Sequence, residues 1–168
     1  MTLYTVHSRT LSENQSAQVS NSGWSGVIWG QAYLDLSHIG LNADNELPRS
    51  LAANLFTLES FSIYRRGYDI EIDQPDLSID HILEIIFEAG NISPDHTMVS
   101  SFKKYDRIPS ISVGDLVFCD NYDRGWICCS FGWNEIPQAI CEFWHNRSIK
   151  MHQAVSRINR QKLEGVSS

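Results

Sequence analysis

Long apolar runs are missing from this chain: nothing in its 168 residues approaches the roughly 20 consecutive apolar positions of a membrane-spanning helix. The opening residues Met1-Thr2-Leu3-Tyr4-Thr5-Val6-His7-Ser8-Arg9 lack a basic segment followed by an apolar stretch, so no secretory signal is expected and the reading is cytoplasmic. Internal repeats and low-complexity tracts are absent, which excludes repeat architectures. No Gly-Lys-Ser/Thr follows Gly23-Trp24-Ser25-Gly26 or Trp29-Gly30, and no Gly-x-Gly-x-x-Gly or His-Glu-x-x-His occurs. The common nucleotide loops and the zinc-protease helix are thereby excluded. Cysteine is scarce: Cys119, Cys128, Cys129 and Cys141 all lie in the last third. On one strand the adjacent Cys128 and Cys129 would point to opposite faces and could not bridge, so reduced, mostly buried thiols are expected.

Positive charge is also missing over a long stretch, with no Lys or Arg from Gly67 through Phe102. The net charge of −7 is unevenly divided. Residues 1–146 hold 8 basic and 19 acidic side chains, whereas residues 147–168 hold 5 basic and 1 acidic. The body should repel nucleic-acid phosphates, and the tail should attract them or dock on an acidic surface.

What is present supports a packed core: 42% of residues are apolar and 20% charged, in a length suited to one domain. The expected architecture is a single α+β domain over residues 1–146, an antiparallel sheet of five or six strands flanked by two or three helices, followed by a basic helix or tail over 147–168. Leu3–Val6 reads as a short opening strand, and residues 8–22, rich in Ser, Asn and Gln, as an exposed loop. The β-branched and aromatic residues of 23–34 suggest a strand or hairpin arm. Pro48 opens a helix whose Leu51, Ala52, Leu55 and Phe56 share a face. Residues 61–64 and 68–72 alternate around Arg65-Arg66-Gly67, as in a hairpin. Ser78 caps a helix carrying Ile79, Ile82, Leu83, Ile85, Ile86 and Phe87, with Leu77 stapled onto Ile82 and Gly90 placed to end it. Residues 91–110 read as an irregular connection. Residues 111–119 and 126–131 read as two antiparallel strands around a turn at 120–125. Residues 135–144 and 149–163 are the remaining helix candidates.

One region looks familiar. Leu83-Glu84-Ile85-Ile86-Phe87 is followed by Asn91, Pro94-Asp95 and Phe102, then Ile111-Ser112-Val113-Gly114-Asp115-Leu116-Val117, Trp126 and Phe131-Gly132-Trp133-Asn134-Glu135-Ile136. Over roughly residues 83–136 this order resembles the YodL-like domain, a small module of some bacterial proteins and of phage and conjugative-element proteins. Its pattern is an apolar helix, a proline-containing connector, a strand opening on Arg-Ser-Met-Ser-Val/Thr-Gly-Asp, and a Gly-Trp after the hairpin. The basic residue expected before the first motif serine is replaced by Pro109, with Arg107 nearby. The resemblance implies an interaction or accessory role and carries no catalytic residues.

Few residues suggest chemistry. Gly114-Asp115 reads as turn architecture at a strand entry. Cys141 and His145 share a helical face and, with another cysteine, would suit zinc, but the close Cys-x-x-Cys pairing of structural sites is missing. No metal, cofactor or nucleophile is therefore assigned, and the sequence leans away from catalysis. Asp76, Asp80, Glu84 and Glu88 recur every four residues. Like charges at this spacing cost helix stability, so the row is either a solvated face or a surface shaped for a basic partner. Tyr122, Trp126, Phe131, Trp133, Phe143 and Trp144 should be mostly core, with one or two exposed tryptophans as interface anchors. The resulting expectation is a non-enzymatic protein that binds another macromolecule through Asp76, Asp80, Glu84, Glu88, Trp133 and Trp144. Its most concrete form is a phage- or plasmid-encoded inhibitor of a bacterial defence system that occludes a basic, nucleic-acid-handling surface. The alternative is a nucleic-acid-binding accessory protein using Arg147, Lys150, Arg157, Arg160 and Lys162. No membrane partner is expected, and self-association is left open.

Overall fold

The first strand, β1 (Thr2–Arg9), alternates Tyr4, Val6 and Ser8 toward one side with Thr5 and His7 toward the other, and all of these side chains are buried. Such double-sided burial marks a central strand. In the computed structural model, which describes residues 1–57, 61–73, 76–147, 160, 161, 164 and 165, β1 pairs with β2 (Tyr64–Ile72) on one side and with β4 (Leu116–Cys119) on the other. β3 (Val99–Lys104), β5 (Gly125–Cys128) and β6 (Trp133–Glu135) complete a six-stranded sheet in the order β3-β2-β1-β4-β5-β6. Every pairing is antiparallel.

Helices cover both faces. α1 (Glu13–Ser22), α2 (Gly30–Leu36), α3 (Arg49–Leu55) and a helix that follows β6, α5 over 138–147, lie on one side, around Leu36, Leu55, Phe118, Ile127, Cys141 and Trp144. Among the described residues α4 (Ile79–Asn91) is the helix on the other, its Ile82, Leu83, Ile85, Ile86 and Ala89 packed on Val6, Ile70, Val117 and Trp126. The chain is thus a single α+β domain, as its patterning implies, with more helices than expected. Among the described residues no helix is long and apolar enough to cross a membrane.

Several local expectations are corrected. Residues 13–22 are helical rather than looped because Ser12 and Gln15 form a capping box: Ser12 Oγ accepts from Gln15 N at 3.0 Å and Ser12 N donates to Gln15 Oε1 at 2.9 Å. Residues 23–34 form a 3-10 turn and the start of α2 instead of a strand, since Trp29 and Leu36 face the core at helical spacing. That packing overrides β propensity. Leu51 is exposed, leaving Ala52 and Leu55 as the core side of α3. Residues 64–72 are one continuous strand: Gly67 lies opposite a register shift at Val6/His7, where a Cβ would meet Ser8 Oγ, so the glycine serves a bulge and not a turn. Within 91–110 lies β3, an edge strand carrying Lys103 and Lys104. Glu135 belongs to β6, and the helix begins only after Pro137. The helix candidate at 149–163 lies almost wholly outside the described residues.

Gly90 does not end α4. It sits inside the helix, where a Cβ would stand 2.5 Å from Ile111 Cδ1. Close packing of α4 on the segment before β4 therefore requires it.

The Ser112–Asp115 step pins the centre of the sheet. Asp115 is buried; its Oδ1 accepts from Arg9 N at 2.7 Å and its Oδ2 from Ser112 N at 2.9 Å. Gly114, at φ +91°, turns the chain into β4, and Tyr64 Oη donates to its carbonyl at 2.6 Å. Arg9 Nη1 and Nη2 donate to the carbonyls of Tyr33 and Val113, and the guanidinium lies over the Tyr33 ring. Two residues back along β1, on the same side as the Arg9 side chain, His7 is enclosed by Phe118, Trp144 and Tyr122, and its Nε2 shares a 3.1 Å hydrogen bond with Tyr122 Oη.

These two buried groups titrate in opposite senses. Burial, opposed by the Arg9 and Ser112 amides and the Arg9 charge, pushes the Asp115 carboxyl up to about 7. Burial, aided by Arg66 and opposed by Asp69, pulls His7 down to about 3. Between about pH 4 and 6.5 the folded state therefore holds an extra proton on Asp115 and lacks one on His7 relative to the unfolded chain. The first makes stability fall as pH rises, and the second makes it rise. We expect the stability difference between His7→Phe and wild type to fall with rising pH across this window, by about 1 kcal/mol per pH unit. The difference for Asp115→Asn should rise instead. Urea unfolding at a series of pH values reads both slopes; slopes of the same sign would contradict the assignment. Separately, Gly90→Val should destabilise by about 1–3 kcal/mol through overpacking, while Gly40→Ala, with open space around it, should be near neutral in the same measurement.

Candidate functional site: an acid-rimmed apolar groove

α4 forms because Ser78 Oγ accepts from His81 N at 3.3 Å and five apolar residues align on the core side. That side is full. The six apolar residues at 79–87 cannot all face inward, and Phe87 emerges 40% exposed, between Glu84 and Glu88. Asp80, Glu84 and Glu88 form a row on the same wall, about 6 Å apart along the axis. None of the three belongs to an ion pair among the described residues.

The facing wall is the turn between β5 and β6. Gly132, at φ +80°, permits the reversal, and Cys129 N donates to the Gly132 carbonyl at 2.9 Å. Phe131 is carried at its tip, 84% exposed. Buried Asn134 ties this hairpin to the segment beside it: Asn42 N donates to its Oδ1 and its Nδ2 donates to the Gly40 carbonyl, both at 3.0 Å. Ser130 N donates to the Ile39 carbonyl, Leu47 N to the Glu135 carbonyl, and Glu135 N to the Asn45 carbonyl. Leu41 is thereby held against Gly132.

Between the walls lies a groove of about 780 Å³, lined by Asp80, Glu84, Phe87, Glu88 and Ile92 from the helix side and by Cys128 to Trp133, Leu41 and Asn45 from the other. Of the seven large apolar residues exposed among those described, four (Leu41, Phe87, Ile92 and Phe131) line this one concavity. Scattered single exposures need no explanation, whereas this clustering makes the groove the candidate site.

The expected site residues divide. Asp80, Glu84, Glu88 and Trp133 come together in the groove. Asp76 is exposed but does not line it. Trp144 is 1% exposed, packed against His7, Phe61, Tyr64 and Phe118, and so belongs to the core rather than to a docking surface. Arg147 places its guanidinium over the Phe61 ring. Arg160 is exposed, while Lys150, Arg157 and Lys162 lie outside the described residues. The sequence reading missed Leu41, Phe87, Ile92 and Phe131; the one available signal was an apolar stripe on α4 too broad for a single face.

Burial disfavours the thiolate form of all four cysteines. Burial is the leading cause that raises all four, with Cys128 and Cys141 pushed up to about 12. Among the described residues, no three His, Cys, Asp or Glu side chains come together as metal ligands. No family model, curated protein or solved structure matches the chain.

If the carboxylate row serves something other than the fold, removing its charge should help the fold. Glu84→Gln eliminates both four-residue repulsions, and we expect a gain of about 0.4–1 kcal/mol in urea unfolding at low salt, shrinking as salt is added. A loss of stability would assign Glu84 a structural task.

Proposed function

We propose that the protein is a non-enzymatic binding module that docks on a basic, partly apolar surface of another protein. One observation carries this reading: Asp80, Glu84 and Glu88, with no ion-pair partner among the described residues, stand in a row along the groove where Phe87, Ile92 and Phe131 are exposed. A row that weakens the helix and apolar side chains left in water are both unfavourable in the isolated fold. A cationic, apolar partner reverses both at once. The upward shift of the buried thiols further favours binding over cysteine catalysis.

The resemblance to the YodL-like domain, a module of phage and conjugative-element proteins, gives the proposal its concrete form. The partner belongs to a bacterial defence system, and the covered surface is one that handles nucleic acid. Binding there inhibits by occlusion.

The test uses the full-length protein as bait in the cell where it acts. Wild type should retain a partner that is lost, at least tenfold, by Asp80→Lys/Glu84→Lys/Glu88→Lys, with circular dichroism confirming an unchanged fold. Wild type should also displace DNA or RNA from that partner. Retention by the triple variant would overturn the groove as the binding surface. Direct, steeply salt-dependent nucleic-acid binding that disappears on removal of residues 148–168 would favour the tail instead.

A further inference from the structure

We infer that the groove's occupant is an amphipathic α-helix of the partner, carrying Lys or Arg at four-residue spacing beside a row of apolar side chains. This rests on the binding reading above and names the form of the ligand.

The argument begins with what an occupant must satisfy. It must bring cations to a carboxylate row about 12 Å long, and apolar side chains to Phe87, Ile92, Phe131 and Leu41. It must also leave none of its own backbone N–H and C=O groups unpaired as they enter an apolar groove. An extended segment meets the last demand only by pairing with a free sheet edge. The nearest edge is β6, a strand of three residues that is already occupied at Glu135: Leu47 N donates to the Glu135 carbonyl at 2.9 Å, Glu135 N donates to the Asn45 carbonyl at 2.7 Å, and Glu46 forms a parallel bridge to Glu135, which leaves too little edge for a strand to pair along. Among the described residues the open edge of the sheet is β3, which lies at the opposite end of the strand order and carries Lys103 and Lys104. A strand would therefore reach the groove with its hydrogen bonds unmade.

A helix brings its backbone already paired. Its i, i+4 repeat advances about 6 Å, the same interval that separates Asp80, Glu84 and Glu88, so three cations face three carboxylates in register. The adjacent i+3, i+7 row then turns apolar side chains toward the far wall, where Phe131 and Trp133 stand. A second copy of this chain is a poor occupant through the same face, because a twofold contact would set one carboxylate row against the other.

The test uses capped, fluorescein-labelled, Ala-based peptides of about 18 residues, long enough for five helical turns. The first carries Lys at i, i+4 and i+8 with Leu at i+3, i+7 and i+11. The second has the same composition with the Leu row moved to i+2, i+6 and i+10, away from the Lys row. The third alternates Lys and Leu as a strand former. By fluorescence anisotropy with the full-length protein, the first peptide should bind at least tenfold tighter than the other two, and Glu84→Lys and Phe131→Ser should each weaken it at least tenfold. If the alternating peptide binds as well and still responds to Glu84→Lys, the helical form is wrong while the groove stands. If no peptide responds to either substitution, the groove reading itself falls.

Discussion

The carboxylate of Asp115 holds the structure's centre. It joins the end of β1 to the start of β4 through two backbone amides, Arg9 N and Ser112 N, that are more than 100 residues apart in the chain. Around it the other bonds converge: Tyr64 Oη on the Gly114 carbonyl, the Arg9 guanidinium on the Tyr33 and Val113 carbonyls, and Gly114 N on the Cys128 carbonyl. Register follows from this point. With β1 and β4 fixed, the β4–β5 hairpin and β6 have one position, and the turn bearing Phe131 comes to lie beside α4. The strain of burying a carboxyl is borne at this step because a neutral side chain lacking two acceptors would leave buried amides unmet.

The groove is built from the two halves that this centre brings together. One half is a helix whose core side is saturated and whose outer side carries repelling charges. The other is a tight turn that exposes an aromatic ring, braced by buried Asn134 against the 40–47 segment. Neither the carboxylate row nor the exposed rings improve the isolated fold. Their coincidence in one concavity, more than either feature alone, supports binding as the task of this surface.

How much of this was legible in the sequence follows from the range of the determining interactions. α4 was legible because its cap, its period and its first-turn acid are all local to residues 78–91. The β4–β5 hairpin was legible for the same reason. α1 was misread because its composition is polar apart from Ala17 and Val19 and its signal is the Ser12/Gln15 pair alone. The stretch 23–34 was misread because Trp29 and Leu36 turn helical only against a core that distant strands supply. Gly67 and Gly90 looked like punctuation, yet each is a place where another segment comes too close for a Cβ. The acidic half of the site was visible as a four-residue spacing. Its apolar half was not, since the exposure of Phe87 and Phe131 depends on how α4 and the β5–β6 turn meet in space. Trp144 failed as a candidate for the complementary reason: a long-range aromatic cluster encloses it.

The most direct test of the account is amide hydrogen exchange on the full-length protein, alone and saturated with the partner it captures. Slowed exchange confined to residues 80–92 and 128–134 is the predicted footprint. Protection that spares both segments and falls instead on β3 or on residues 147–168 would contradict it.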